Sequence, residues 1–131
     1  MSYSFQLSEI TEKVSPEPFS RYAKVILDQN VIPGTPMSLG FFRFAPGQIG
    51  PKHVHEEEVE IYITIKGQGE VTAGDETFAM HPGTIVYVQP KVEHQTRNTG
   101  NEDMEFYGVF SPSVDLSAIN TWEDASSEKE S

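Results

Sequence analysis

The sequence predicts an all-β protein, a sandwich or a barrel closed on itself, and three observations carry that prediction. Short runs rich in β-branched and aromatic residues succeed one another at even spacing between residues 37 and 110. Turn signals built on glycine and proline separate them. No apolar pattern of helical period calls for a helix longer than a turn or two.

Taken in chain order, residues 1–36 read as an N-terminal arm, in which Ser15-Pro16-Glu17-Pro18 and Ile32-Pro33-Gly34-Thr35-Pro36 punctuate one strand-like run, Tyr22–Leu27. Residues 37–112 read as the barrel, with strands expected over 37–44, 60–65, 70–73, 77–80, 84–88, 94–98 and 104–110. Gly67-Gln68-Gly69, Gly74-Asp75 and Pro82-Gly83 supply tight turns between them. Residues 113–131 form a third region: Val114, Leu116, Ile119 and Trp122 make a short packed segment, and the polar tail from Glu123 onward, with almost nothing to bury, is expected to be disordered. There is no internal repeat that would indicate a second barrel.

A length of 131 residues suits one core, because two would each be too small to stabilise themselves. The hydrophobic fraction, 37%, falls in short runs, far from the roughly 18 to 20 consecutive apolar residues that cross a bilayer, so no membrane span is expected. The N-terminus, Met1-Ser2-Tyr3-Ser4-Phe5, lacks the basic and apolar segments of a secretory signal, and a cytoplasmic location is expected. With 20 acidic against 9 basic side chains the formal charge is −11, which repels phosphate backbones and argues against nucleic acid as a partner. Cysteine is absent, so any metal site rests on nitrogen and oxygen donors.

The chain has 4 histidines, two of them in His53-Val54-His55, where an extended backbone puts both imidazoles on one face. Glu60 opens the run Glu60-Ile61-Tyr62-Ile63-Thr64-Ile65, whose alternation sets Glu60, Tyr62 and Thr64 on one side and three isoleucines on the other. The isoleucine face needs a cover, either the N-terminal arm or a second subunit, which motivates a homodimer. His94 begins the extended run His94-Gln95-Thr96-Arg97-Asn98 and supplies a third imidazole. Three imidazoles and one carboxylate suit a divalent first-row ion such as Fe, Mn, Ni, Co or Zn, with positions left open for chemistry. Glu58 competes with Glu60 as the oxygen donor. His81 reads as an exposed turn residue, and Arg43 as either a ligand for a substrate carboxylate or a member of a surface ion pair. Phe41, Phe42, Phe44, Phe106 and Tyr107 read as core or pocket wall, and Thr96 and Asn98 as supports of the site.

Gly47, five residues, His53-Val54-His55, four residues, Glu60, six residues and Gly67 together resemble the first motif of the cupin superfamily at each defining position. Gly83 and His94-x3-Asn98 resemble the second motif, in which Gln89 and Lys91 stand where proline and glycine are usual. The two motifs span residues 47 to 98, flanking strands extend the resemblance over about 37–110, and it implies a double-stranded β-helix, or jelly-roll, barrel of single-domain type with His53, His55, Glu60 and His94 as metal ligands. Ser38-Leu39-Gly40, Ala45-Pro46-Gly47, Glu60-Ile61-Tyr62 and Glu105-Phe106-Tyr107 look like stretches of short cupins that cleave dimethylsulfoniopropionate. That likeness implies a proton-abstracting role for Tyr62, for which its phenol must ionise below the usual value near 10. In those lyases a second tyrosine from the C-terminal segment lines the site; here the nearest aromatic residue is Trp122. Two functional classes follow: a metal-dependent enzyme acting on a small carboxylate by lyase, decarboxylase or isomerase chemistry, with iron-dependent dioxygenase chemistry as a variant, or a non-catalytic binder of a sugar or small acid.

Overall fold

The computed structural model describes residues 1–125. Its strands, in chain order, are β1 (Lys13–Val14), β2 (Tyr22–Leu27), β3 (Ser38–Phe44), β4 (Val59–Lys66), β5 (Gly69–Ala73), β6 (Glu76–Met80), β7 (Ile85–Val88), β8 (His94–Asn98), β9 (Met104–Ser111) and β10 (Glu123–Asp124). Two short 3-10 helices, Leu7–Glu9 and Ser117–Thr121, accompany them. No helix of the described residues is long and apolar enough to cross a membrane.

The strands form a seven-stranded sheet in the order β10-β1-β2-β3-β9-β4-β7 and a three-stranded sheet in the order β6-β5-β8. Every pairing is antiparallel. Both sheets feed one core: Val71 of β5 and Met80 of β6 pack with Tyr62, Val86, Met104 and Phe106 of the larger sheet. The strands alternate as the sequence pattern requires. On β9, Met104, Phe106, Gly108 and Phe110 are buried between half-buried neighbours, and on β8 His94, Thr96 and Asn98 are. The architecture is the expected all-β jelly roll.

A second cluster closes one end of the barrel, where Leu116 and Ile119 from the C-terminal segment pack on Ala23 and Phe110. The expected N-terminal arm is more than an appendage, since β1 and β2 extend the larger sheet beyond β3. Residues ahead of β1 are held by Lys24, whose Nζ donates to the Leu7 carbonyl at 2.9 Å.

Three expectations need correction or completion. Glu123 and Asp124, read as the start of a disordered tail, pair with Val14 and Lys13 as β10, and Lys13 Nζ meets Asp124 Oδ1 at 2.6 Å. An ion pair and an edge strand supply the partners that composition does not reveal; residues 126–131 of that expected tail lie outside the described residues. His53-Val54-His55 is not a strand: its sole sheet contact is an isolated bridge between His53 and His94. The isoleucine face of β4 is covered only in part, by a groove in which Phe5, Leu7 and Ile10 meet Ile63, Tyr107 and Val109. Ile65, Ile85 and Tyr87 on the outer face stay 47%, 66% and 59% exposed.

Candidate metal centre

Period-2 alternation turns Glu60 and Tyr62 of β4 inward, and both are buried. In the neighbouring strand, Gly108 faces Tyr62 across the ladder. A Cβ at Gly108 would stand 3.0 Å from the Phe42 ring, so glycine leaves that ring its space beside the Glu60 carboxylate. His94, the first residue of β8, reaches the same point from the smaller sheet. His53 is clamped to it by a reciprocal bridge: His53 N donates to His94 O at 3.0 Å and His94 N to His53 O at 2.9 Å. The loop ahead of β8 holds His55 in turn, because the Lys91 amide donates to the His55 carbonyl at 2.7 Å.

The result is one carboxylate oxygen faced by three imidazoles. Glu60 Oε1 lies 3.3 Å from His53 Nε2, 3.2 Å from His55 Nε2 and 2.8 Å from His94 Nε2. The four donor atoms all fall within 4.8 Å of one another. Glu60 and His94 are sealed, with side chains 4% and 1% exposed, whereas His53 at 37% and His55 at 22% face the opening. Burial by itself pushes the Glu60 carboxyl up, but the three imidazoles around it outweigh burial and hold it well below the usual carboxylate range.

The ring tautomers show what this set is built for. His53 Nδ1 lies 3.1 Å from the Pro51 carbonyl and His94 Nδ1 lies 2.9 Å from the Val92 carbonyl. A carbonyl only accepts, so both Nδ1 atoms carry the proton and a neutral ring presents a bare lone pair at Nε2. Both Nε2 atoms are then the ring nitrogens turned toward Glu60 Oε1, an arrangement in which they can share a cation with it. Ligand-to-ligand separations near 3 Å are what bonds of about 2.1 Å to a divalent ion produce. The donors fit a first-row transition ion, and backbone carbonyls behind two of them fix the ring orientation.

Of the residues singled out in the sequence, His53, His55, Glu60 and His94 converge. Glu60, not Glu58, is the carboxylate that faces the three imidazoles. His81 stays exposed in its turn. Arg43 takes the ion-pair role: its guanidinium donates to Glu12 at 2.8 Å and to Asp103 at 3.0 Å and lies 3.7 Å from the centre of the Tyr22 ring. Asn98 ties the barrel wall together, Nδ2 donating to the Phe44 and Glu102 carbonyls, each at 2.8 Å. Lys91 occupies the usual glycine position with the glycine conformation, at φ 69°.

The centre opens into a cavity of about 370 Å³ whose lining includes Phe42, Phe44, Phe106, Phe110, Leu116 and Ile119. Tyr62 and Thr96 line it as well, Tyr62 with only 2% of its surface exposed. Burial pushes the Tyr62 phenol well above its ordinary value and the Glu60 carboxylate adds to the shift, the direction opposite to the one expected for a base. Trp122 does not reach the cavity lining; it packs against Arg21, with the guanidinium 5.0 Å from the ring centre. Arg21 itself lines the cavity, a residue that the sequence pattern did not mark.

The chain resembles known proteins in both sequence and shape. It is 37% identical over 78 residues to the glucose-6-phosphate isomerase of Thermococcus kodakarensis, an overlap covering 50% of this chain and 41% of that protein. It is 29% identical over 115 residues to the glucose-6-phosphate isomerase of Pyrococcus furiosus, covering 78% of this chain and 59% of that one. The chain thus spans less than two thirds of the length of these relatives. The crystal structure of a predicted oxalate decarboxylase from Thermotoga maritima superposes with a TM-score of 0.77 at 23% identity, covering 84% of this chain and 99% of that one. KdgF from a Halomonas species superposes with a TM-score of 0.74 at 22% identity, covering 88% and 97%. Residues 40–110, from the middle of β3 to the end of β9 and including all four converging donors, match the family model of the Cupin domain, and the chain belongs to the cupin family.

Proposed function

We propose that this cupin is a metal-dependent enzyme acting on a small organic acid or sugar, by lyase, decarboxylase or isomerase chemistry. One divalent first-row ion is held by His53, His55, Glu60 and His94. The observation that carries the reading is the convergence of three imidazole Nε2 atoms on Glu60 Oε1, two of the rings held from behind by backbone carbonyls, at an apolar-walled cavity. Such an ion, when bound, supplies a Lewis-acidic position for a substrate carboxylate or carbonyl oxygen.

The protein's own contribution is orientation, dryness and proton handling. The Pro51 and Val92 carbonyls keep two rings from turning. Phe42, Phe44, Phe106 and Phe110 exclude water and so strengthen each charge interaction inside. We assign Tyr62 to proton transfer at its Oη, because it lines the cavity two residues after Glu60. Burial and the Glu60 carboxylate push the phenol up, which suits proton donation, as after decarboxylation, more than proton abstraction.

Isomerisation of a sugar phosphate is the second reading, favoured by the 37% identity to a protein named glucose-6-phosphate isomerase. Dioxygenase chemistry on the same donors requires a redox-active ion, so the identity of the metal separates it from the others. The exposed Ile65, Ile85 and Tyr87 support a homodimer across the outer face of the larger sheet.

The test is elemental analysis of protein purified without chelator, followed by a screen of small carboxylates, dimethylsulfoniopropionate and glucose 6-phosphate. About one ion per chain and turnover that Tyr62→Phe abolishes are expected. Full activity in Tyr62→Phe removes that residue from the mechanism. Ligand affinity unchanged in metal-free protein, with no turnover of any substrate, overturns the enzyme reading in favour of a binding module.

A further inference from the structure

The cavity has a charged wall besides the His–Glu centre. The chain contains three arginines, Arg21, Arg43 and Arg97. Arg43 is paired with Glu12 and Asp103, and Arg97 faces Glu70 at 3.7 Å. Arg21 alone has no carboxylate within ion-pair distance among the described residues, in a chain that carries 20 acidic side chains. Among the described residues, then, this half-buried guanidinium is balanced by no carboxylate.

What holds Arg21 occupies only part of it. Nη1 donates to Ser15 Oγ and to the Phe19 carbonyl, each at 2.9 Å, and one face of the guanidinium rests on Trp122. Nε and Nη2 make no hydrogen bond among the described residues, and neither is sealed from solvent. Nε lies against Gly50, where an added Cβ would stand 3.6 Å from it, and Gly50 and Pro51 lead into the ligand His53. The edge of the fork that remains free is therefore beside the segment that carries the first metal ligand. Two parallel N–H donors of this kind match a carboxylate or phosphate edge.

We propose that Arg21 anchors the distal anionic group of the substrate, a carboxylate or a phosphate, while an oxygen group at the other end of the same molecule lies at the His–Glu centre. Only this second half rests on the metal-enzyme reading. A cavity of about 370 Å³ is about 9 Å across if spherical, room for a four- to six-carbon molecule, and Phe42, Leu116 and Ile119 favour an apolar middle. Arg21 is the one lysine or arginine among the lining residues, which also carry the carboxylates of Glu60 and Asp115, so it is the single fixed cation that an anionic group can meet there. Dimethylsulfoniopropionate, with its carboxylate at the centre, would set a sulfonium against this guanidinium.

Trp122 is the single tryptophan and stacks on Arg21, so its fluorescence reports directly on the site. Metal-free full-length protein is titrated with succinate, glycerol 3-phosphate, dimethyl succinate as a neutral control, and dimethylsulfoniopropionate. At least one anion is expected to saturate the signal, with affinity falling at least tenfold in Arg21→Gln and by an intermediate factor in Arg21→Lys. Whichever anion binds more tightly identifies the source of the anionic group. Binding in a folded Arg21→Gln protein within twofold of the original overturns the proposal. So does a neutral or sulfonium ligand that binds as tightly as the anions, or the absence of anion binding up to 50 mM. Should Arg21→Gln not fold, Arg21→Lys carries the test, with at least threefold weakening expected and unchanged affinity overturning it. Failure of the metal reading appears separately, as absence of metal on elemental analysis, and leaves the anion titration intact.

Discussion

Replacing Lys91 by glycine should stabilise the protein while leaving the metal centre in place. Lys91 is exposed and holds φ 69°, where an L side chain crowds its own backbone. That conformation costs a non-glycine residue about 1 to 2 kcal/mol, and glycine avoids the cost. Against this, glycine adds roughly 0.5 to 1 kcal/mol of backbone freedom to the unfolded chain, so the net gain is about 1 kcal/mol. For a chain of 131 residues, an unfolding entropy of about 2.1 cal/mol/K per residue turns that gain into a rise in Tm of about 3 to 4 °C. The Lys91 amide survives in Lys91→Gly and still donates to the His55 carbonyl, so metal content should not change. Differential scanning calorimetry of metal-free protein reads the shift, and elemental analysis reads the content. An unchanged or lowered Tm would show that the lysine stem contributes packing equal to the strain, and the argument from backbone conformation would fail.

Three other perturbations test separate parts of the reading. His94→Ala removes the ligand closest to Glu60, at 2.8 Å, and should drop metal content to less than about a tenth of an ion per chain and abolish the rise in Tm on adding metal; retention of the ion, measured by elemental analysis, would contradict the ligand set. Gly67→Ala should destabilise by about 3 kcal/mol or more in chemical denaturation, because the new Cβ would overlap the Asp103 carbonyl oxygen, stand 2.8 Å from Met104 Cα and carry φ +80°; a loss below about 1 kcal/mol would mean that the turn relaxes freely. Ile85→Glu with Tyr87→Glu, at positions 66% and 59% exposed, should leave the Tm within about 2 °C and convert a dimer to a monomer in sedimentation velocity; an oligomeric state unaffected by both charges would place any interface elsewhere.

How far such features can be read from sequence depends on the range of the interaction that creates them. The barrel strands were legible because burial on one face imposes a period of two, and Glu60-Ile61-Tyr62-Ile63-Thr64 keeps that period without interruption. Glu60 could be named over Glu58 for the same reason: it is in register with Tyr62 and Thr64, both buried on the lumen side. The His53-Val54-His55 segment shows where the pattern stops informing. Its two imidazoles converge although only His53 touches a sheet, through one bridge to His94, so the constraint comes from a residue far along the chain. The tail was misread at Glu123 and Asp124 for a related reason, since β10 depends on Lys13 at the opposite end of the sequence. Arg21 is the extreme case. Nothing in Ser20-Arg21-Tyr22 differs from an ordinary strand entrance with a solvated charge, and Arg43, flanked by phenylalanines, looks the better candidate for a substrate carboxylate. Arg43 is the one that folding neutralises, because Glu12 and Asp103 reach it. Arg21, just ahead of β2, is brought to a cavity whose other walls come from β3, β4, β8, β9, the segment 50–55 and the C-terminal segment 114–119, and among the described residues no carboxylate lies within ion-pair distance of it. The carboxylates that neutralise Arg43 and Arg97 can be named only from the fold, and so can the lack of one beside Arg21 among the described residues.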